Sequence, residues 1–561
     1  KKMKKINLFA LLALASLTFF SCKEDDNNGG TNNGTDELKI PETPTEASAL
    51  VNAVYGPLQT LSSSYSFFIE NATETTVCFE DVDGVDGPQI SEFLTNDRNW
   101  YVTKVFNRLY SSINAANTAI SLIGQADAAK VSTEDVPEYG IVGVKAAELI
   151  ARAQFIRGYN YFQLVQFFGE VPLITTYPEP SAAERTTRKS IDEVYGQVVS
   201  DLNAAIANLP EYSDSKYAPT KLAAKTILAK AYLTWGSKPL TADQITPAAT
   251  TDPAKPAVDN TKLNQAISYA NEVINSGKYA LRPDFNTIWG VGNENNPEVI
   301  FSIQHFGDEK DAQGNHQTHC GYTWPKNERK EPHIQWADIS FEDALPDGDA
   351  RKLYSYATEV RFSDGDIDTL SWPLSIVRPG KWIHRDGTGT INSLDNQPND
   401  IDHIDFRLAE VYLIKAEAQF YTNNGDKGLA AVNVIRERAG VPALSAISEE
   451  AIQQEWQNEL AFEQKHWLNL VRWRTLISSV KNKVPTYEYY KDSYTDQAQF
   501  NSIVYNGIQA DPTRFNFYKR INKHLRSKVT NVNGKFYRFP IPATADDKAT
   551  NLGITPQNPG F

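Results

Sequence analysis

The chain has 561 residues, 41% hydrophobic and 22% charged, which is enough for one large core or two smaller ones. Its 55 Lys and Arg against 69 Asp and Glu give a net charge of −14, which disfavours binding to a phosphate backbone, so nucleic acid is not an expected partner. Three cysteines are too few for a disulfide framework.

The first residues have the pattern of an export signal. Two lysines precede an apolar run over residues 6–20, which is too short to cross a bilayer because about 20 apolar residues are needed. Cys22 follows the small Ser21, as at a bacterial lipoprotein cleavage site. The sequence therefore predicts cleavage of residues 1–21 and a lipid anchor on Cys22. Phe19 stands where such sites usually have leucine, and an ordinary signal with an incidental cysteine is the alternative.

The rest of the chain divides by composition. Residues 22–40 are rich in Asn, Gly and Asp and contain no aromatic residue, which predicts a flexible stalk. Residues 41–561 are expected to form one domain, with a helical part over 41–288, an irregular part over 289–405 and a second helical part over 406–561.

Three segments in the first helical part have helical periodicity. TKLAAKTILAKAYLTWG carries one continuous apolar stripe, ARAQFIRGYNYFQLVQFFG carries a second, and SIDEVYGQVVSDLNAAIANLP carries a third that Pro210 ends. Gly158 lies within the second stripe, where it would let a neighbouring helix approach closely. The segment LNQAISYANEVINSGKY continues the helical pattern.

A helix–turn–helix unit opens the last part of the chain, in FRLAEVYLIKAEAQFYTNNGDKGLAAVNVIRERAG. It is similar to a tetratricopeptide unit in its small and apolar positions, which are Ala409, Ala416, Ala418, Ala431, Val432 and Ile435. Such pairs bury their faces by stacking. The sequence thus predicts a mainly all-α fold built from tetratricopeptide-like helix pairs.

The segment over 289–405 departs from this pattern and holds half of the ten tryptophans. A long irregular segment inside a compact domain is usually functional. Sugar rings stack on flat aromatic side chains while polar groups bind their hydroxyls. We expect Trp289, beside a regular segment, to be core. The ligand-binding candidates in this segment are Tyr322, Trp324, Trp336 and Trp372.

The chain resembles the SusD/RagB family of outer-membrane lipoproteins from Bacteroidetes. The resemblance rests on the lipoprotein signal and, in order, on AELIARAQFIRGYNYFQLVQFFGEVPLIT, PTKLAAKTILAKAYL, NPEVIFSIQ, DFRLAEVYLIKAEAQF, NELAFEQKHWLNLVRWR and YRFPIPATADDKATNLGITPQNPGF. It implies a SusD-like helical scaffold whose irregular face binds glycan. In this family an early loop often reaches the same face, which adds Tyr65, Phe79 and Asp83 as ligand-binding candidates. It implies a SusC-type TonB-dependent transporter as partner. The acidic KEDD after Cys22 implies export to the cell surface.

Enzyme and metal signatures are weak. The sequence contains no G-x-x-x-x-G-K-[ST], G-x-G-x-x-G, G-x-S-x-G or H-E-x-x-H motif. Glu463-x-x-His466, on a predicted helix, lacks the further carboxylates of a di-iron site and is expected to be structural. His316-x-x-His319-Cys320 has zinc-ligand types but no evident fourth ligand. Asp364, Asp366 and Asp368 alternate as in a calcium loop, without its glycine and glutamate.

The expected function is therefore glycan capture at the outer membrane without catalysis, cofactor or metal. A glycoside hydrolase on a helical scaffold and a pure protein-interaction scaffold are the alternatives, since paired catalytic carboxylates have no sequence spacing. The nature of the glycan is left open. Cys78 and Cys320 are expected to be buried thiols, with pairing as the alternative.

Overall fold

In the computed structural model of the chain, the described residues are 39–65, 69–78, 86–128, 146–290, 292–305, 336–338, 341, 344–357, 359–362, 367–369, 376–381, 392–393, 402–483, 504–505, 508–509, 515–545, 548–551 and 553–561. The fold is mainly α-helical, which confirms the predicted class. Among these residues we find no helical segment that combines the length and hydrophobicity needed to cross a membrane.

The helices of the first helical part and its short insertions are α1 (Pro44–Asn52), α2 (Gly56–Tyr65), α3 (Asp86–Ser91), α4 (Trp100–Ala128), α5 (Ala146–Phe168), α6 (Ala182–Thr186), α7 (Ile191–Asn208), α8 (Lys221–Gly236) and α9 (Asn260–Asn275). Those that follow are α10 (Ala350–Ser355), α11 (Leu408–Tyr421), α12 (Leu429–Arg438), α13 (Glu449–Leu460), α14 (His466–Trp473), α15 (Leu476–Lys483) and α16 (Phe515–Asn531). All five segments with predicted helical periodicity are helical.

Local chemistry sets the ends of α7. The Oγ of Ser190 accepts a hydrogen bond from the Glu193 N–H at 3.3 Å, and Glu193 Oε2 accepts one from the Ser190 N–H at 2.9 Å. This reciprocal pair satisfies two backbone donors that the first turn leaves open. The helix ends at Asn208, two residues before the proline predicted to stop it.

Helix α5 is the centre of the larger core. The sequence indicates one apolar stripe, whereas every residue from Phe155 to Phe168 is buried because α4 and α7 both pack against this helix. A Cβ on Gly158 would lie 3.1 Å from both Asp201 Cβ and Leu202 Cγ of α7. The predicted close approach at Gly158 is confirmed.

The predicted tetratricopeptide-like unit is the α11–α12 pair. Its six predicted small and apolar positions are all buried. In the turn between the helices, Gly428 has φ of +87°, and a Cβ there would lie 2.3 Å from the carbonyl oxygen of Ala416. Only glycine can meet both requirements without displacing the backbone. The turn thus fixes how closely the two helices pack.

The strands are short and lie mostly in and around the irregular part. They are β1 (Thr76–Val77), β2 (Val171–Pro172), β3 (Arg188–Lys189), β4 (Val299–Ile303), β5 (Trp336–Asp338), β6 (Tyr356–Ala357), β7 (Glu359–Phe362), β8 (Ile367–Thr369), β9 (Ile376–Pro379), β10 (Asn392–Ser393), β11 (His403–Arg407), β12 (Val504–Tyr505), β13 (Ile508–Gln509), β14 (Thr544–Ala545) and β15 (Lys548–Asn551). The two larger sheets have the orders β1-β5-β9-β6 and β10-β7-β8.

A two-stranded stem closes the irregular part. Strands β4 and β11 pair antiparallel, with His403 opposite Ile303, so the chain between them leaves and returns at one place on the scaffold. All ten residues of the two strands are buried. The Ser302 N–H donates to the carbonyl of Lys216 at 3.0 Å, which attaches the stem to the helical part. The stem therefore gives the long segment a fixed origin.

Candidate functional site

The early loop and the irregular part meet in one sheet. Strand β1 pairs antiparallel with β5, with Thr76 opposite Ala337 and Val77 opposite Trp336, and β9 pairs with the other edge of β5. These strands come from positions about 260 residues apart in the chain. The expectation that both segments reach the same face agrees with this pairing at the level of the backbone. We refer to the sheet β1-β5-β9-β6 as the face sheet.

Two of the predicted ligand-binding residues fall on described backbone. Trp336 is the first residue of β5 in the face sheet, and Tyr65 is the last residue of α2. The other five lie outside the described residues, and they are Tyr322, Trp324, Trp372, Phe79 and Asp83. Their role in ligand binding stays a prediction. Cys22, the predicted lipid anchor, also lies outside the described residues.

A small aromatic core lies at the base of the irregular part. Trp289 is 2% exposed and stacks on Tyr354, with ring centroids 5.3 Å apart and an interplanar angle of 26°. Phe285 meets the indole edge-on at 4.9 Å. Ile288, Val299 and Ile404 complete this cluster, which lies apart from the main core. The prediction that Trp289 is a core residue is confirmed.

A buried ion cluster underlies the same region. Arg407, at the end of the stem, donates to Glu463 at 2.7 and 2.8 Å, to Glu459 Oε1 at 2.5 Å and to Glu298 Oε1 at 2.8 Å. Lys381 Nζ, directly after β9, donates to Glu463 Oε1 at 2.7 Å. All five side chains are at most 3% exposed. The cluster therefore joins the face sheet, the stem and the end of α13.

A second arginine extends the cluster to α10. Arg351 makes two hydrogen bonds to the carboxylate of Asp349, at 2.8 and 2.7 Å, and one to Glu455 Oε1 at 2.5 Å. Its guanidinium also lies 3.4 Å from Glu459. Buried ion pairs add little net stability because their desolvation is costly, but removing one partner is strongly destabilising. These ion pairs therefore matter mainly because they hold the side chains of Arg351, Asp349 and Glu455 in one arrangement.

The charge states in the cluster follow from burial and proximity. Burial lowers the pKa of Lys381 to about 8, although Glu463 opposes the shift. Burial alone would raise the pKa of Glu463, but the charges of Arg407 and Lys381 outweigh it and hold this pKa below its usual range. Both partners are thus charged at neutral pH.

The residues Glu463 and His466 have structural roles, as predicted, although Glu463 is not on a helix. It lies in the turn between α13 and α14 because α13 ends at Leu460. His466 Nε2 lies 2.9 Å from Glu74 Oε1. Within the part of the chain that the structure describes, no group of three or more His, Cys, Asp or Glu is arranged to hold a metal ion.

Glu70 connects the early loop to that turn. Its Oε1 accepts a hydrogen bond from the Gln464 N–H at 2.6 Å, while its Oε2 has no partner among the described residues. Burial raises the pKa of Glu70 to about 7, against the lowering effects of His466 and nearby donors. The carboxyl borders a cavity of about 10 Å³, also lined by Trp456 and Lys465. The cavity is about the size of one water molecule.

Two histidines at the stem were not predicted. His305 and His403 are buried, and burial lowers the pKa of each to about 3, so both are neutral. The Asp402 carboxylate accepts a hydrogen bond from the backbone N–H of His305 at 2.9 Å. None of these residues, nor Glu70, lies in a motif that the sequence analysis used. Arg407 lies in the segment DFRLAEVYLIKAEAQF, which gave it no individual role, and the partners of Glu70 and Arg407 are distant in sequence. The pattern of the sequence therefore carried no signal for them.

The remaining predictions, on the cysteines and on the two metal alternatives, involve residues that lie only partly within the described ranges. Cys78 is buried, as expected, and its N–H donates to Ser91 Oγ at 3.1 Å. Cys320, His316 and His319 lie outside the described residues, so neither the pairing nor the zinc alternative is tested. For the calcium alternative, Asp364 and Asp366 lie outside them too, and Asp368 is paired through its backbone with Val360 in β7 and β8.

Comparison with known proteins identifies the family. A model described as "SusD family" matches residues 369–561, and one described as "Starch-binding associating with outer membrane" matches residues 42–233. SusD-like protein P2 of Formosa agariphila is 25% identical over 511 residues, covering 84% of this chain and 91% of that protein.

Solved structures share the fold. A SusD homologue from Bacteroides thetaiotaomicron has a TM-score of 0.67 at 21% identity and covers 92% of this chain and 97% of its own. A laminarin-binding SusD-like protein has a TM-score of 0.63 at 22% identity, with 93% and 100% covered. Two non-overlapping models of one kind span more than half of the chain, a relative matches along most of its length, and the fold is shared: the chain belongs to the SusD/RagB family.

Proposed function

We propose that this protein is a cell-surface lipoprotein that captures oligosaccharides and delivers them to a SusC-type TonB-dependent transporter. The observation that carries the proposal is the pairing of β1 with β5, which brings the early loop beside the strand that begins with Trp336. The strand contains the predicted ligand-binding residue Trp336, and the early loop is the segment that the family resemblance adds to the same face; aromatic side chains suit sugar rings. A relative of the same fold is named for laminarin binding, which supports a glycan as ligand.

The base of the face sheet supports binding with little rearrangement. The ion cluster around Arg407 and the aromatic core around Trp289 tie the sheet to the stem and to α13. A site whose backbone is held in place loses less entropy when a ligand binds. Several weak stacking contacts on such a support would allow capture and also release, which delivery to a transporter requires.

The location follows from the first residues of the chain. In this proposal residues 1–21 are cleaved, Cys22 carries the lipid, and the acidic KEDD marks export to the outer face of the outer membrane. A stalk of about 17 residues has a root-mean-square reach of about 20–25 Å. The domain over 41–561 would thus remain close to the membrane, where tethering raises its effective concentration for a membrane-embedded transporter.

The experiment combines affinity electrophoresis on a glycan panel that includes laminarin with thermal melts. Trp324→Ala, Trp336→Ala and Trp372→Ala are the test variants. Each one that removes a ligand contact is expected to weaken the free energy of glycan binding by about 1–3 kcal/mol, seen as reduced retention, with little change in Tm. Trp289→Ala is the matched control, because losing this core indole should cost about 3–5 kcal/mol of stability.

The outcomes separate the functions. Three folded variants with unchanged retention on the glycan that binds the wild type would overturn the placement of the site. Shortened glycan products after incubation would indicate a hydrolase. Neither retention nor products across the panel would favour a pure interaction scaffold.

A further inference from the structure

A second cavity lies on the helical scaffold, away from the face sheet. It has a volume of about 20 Å³ and lies between α5, α7, the end of α8, α14 and the segment around residue 538. Its polar lining residues are Gln166, Tyr195, Thr234, Ser237, Arg472, Arg474 and Arg538. Three arginines around so small a space raise the question of what balances their charge.

Among the described residues, two of these guanidiniums donate hydrogen bonds to backbone carbonyls and to no carboxylate. Arg474 Nη2 donates to the carbonyl of Lys238 at 2.8 Å, and Arg538 donates to those of Leu240 at 2.6 Å and Tyr537 at 3.1 Å. Arg474 is 6% exposed and Arg538 is 2% exposed. Within the described residues, neither has a carboxylate at ion-pair distance.

The nearby acids are engaged elsewhere. Arg472, the third arginine, pairs with Glu417. The carboxylate that acts most strongly on Arg538 is Glu170, but it accepts from Arg188 at 3.5 Å and from the Ala242 N–H at 3.0 Å. Two buried positive charges therefore line the same cavity without a dedicated counter-charge, which is costly unless a charged partner is supplied.

Two further observations point into the same cavity. The hydroxyl of Tyr195, a lining residue that is 1% exposed, has no hydrogen-bond partner in the described part of the chain. Burial and the charge of Arg538 lower the pKa of Arg474 to about 10. Arg474 also ends α14 in the left-handed conformation, with φ of 60°, where glycine or asparagine is usual. Helix termination thus does not account for an arginine here.

We propose that this cavity binds one small monoatomic anion, chloride under ordinary conditions, between Arg474, Arg538 and Tyr195. A space of about 20 Å³ exceeds the 10–15 Å³ that one water needs and is too small for a sugar. A neutral water could satisfy the tyrosine hydroxyl but would not offset the two positive charges. The anion would link the C-terminal segment to α7, α8 and α14.

The direct test is crystallography of the wild-type protein with sodium bromide. An anomalous peak between the guanidiniums of Arg474 and Arg538 is expected. Bromide sites on the surface without one in this cavity would overturn the proposal, because they would show that the ion was present and was not bound there.

The solution test compares Tm in sodium chloride and sodium gluconate at equal ionic strength. Binding to the folded state alone raises Tm with anion concentration. Tyr195→Phe removes one hydroxyl and should weaken chloride binding by about tenfold or more. Arg474→Asn keeps a residue that tolerates the left-handed backbone and should abolish the chloride effect. Arg185→Gln, at an exposed ion pair, is the matched control and should leave it unchanged.

An equal chloride effect in the wild type and in Tyr195→Phe and Arg474→Asn would refute the site. If Arg474→Asn does not fold, Tyr195→Phe together with the bromide map still decides the question.

Discussion

Neutralising Glu70 should change how stability depends on pH. This carboxyl is 1% exposed, binds the backbone of the turn between α13 and α14, and lies six residues before β1 of the face sheet. Its pKa is about 7 in the folded protein because burial disfavours the charged form, against a value of 4.5 for an exposed glutamate. The folded state therefore retains a proton that the unfolded chain releases.

The sign and size follow from this difference. A raised pKa contributes stability that is fully present below pH 4.5 and is lost as the pH rises through about 7. A shift of this size corresponds to about 3 kcal/mol. Glu70→Gln does not titrate, so its free energy of unfolding relative to the wild type should rise by up to about 3 kcal/mol between these pH values.

The assay is urea unfolding of both proteins at a series of pH values. His305 and His403, with pKa values lowered to about 3, contribute in the opposite direction, and taking the difference between variant and wild type removes their effect. Glu437→Gln, on the exposed surface of α12, controls for a change in net charge. A difference for Glu70→Gln that stays flat from pH 4.5 to 7 would show that the carboxyl ionises freely in the folded protein.

Two further predictions concern the scaffold and the base of the site. Gly428→Ala should lower stability by about 2–4 kcal/mol because its Cβ would meet the Ala416 carbonyl at 2.3 Å, whereas Gly277→Ala, also at positive φ but with nothing within 4 Å, should cost only about 1 kcal/mol. Equal losses in urea unfolding would exclude the backbone contact as the cause. Arg407→Met should cost about 3–5 kcal/mol by removing one positive charge and its hydrogen bonds from three buried carboxylates, against at most about 1 kcal/mol for Arg185→Gln at the surface. Similar thermal shifts for these two variants would contradict the proposed importance of the ion cluster.

The sequence by itself determined the helices and the family. Amphipathic periodicity depends on neighbours three and four residues apart, so the segments that became α5, α7, α8, α9 and the α11–α12 pair could be predicted from local pattern. Gly158 was predictable for the same reason, since a small residue in an apolar stripe indicates close packing. Trp289 was also assigned correctly to a core, from the regular segment beside it.

Only the tertiary structure decided what lies beneath and beside the face sheet. The pairing of Val77 with Trp336 joins short strands about 260 residues apart, and two- or three-residue strands carry almost no periodicity. Glu70 meets Gln464 across 394 residues, and Arg407 meets Glu463 across 56. A buried charge is recognised by its partners and by its loss of solvent, both of which exist only after the chain has folded.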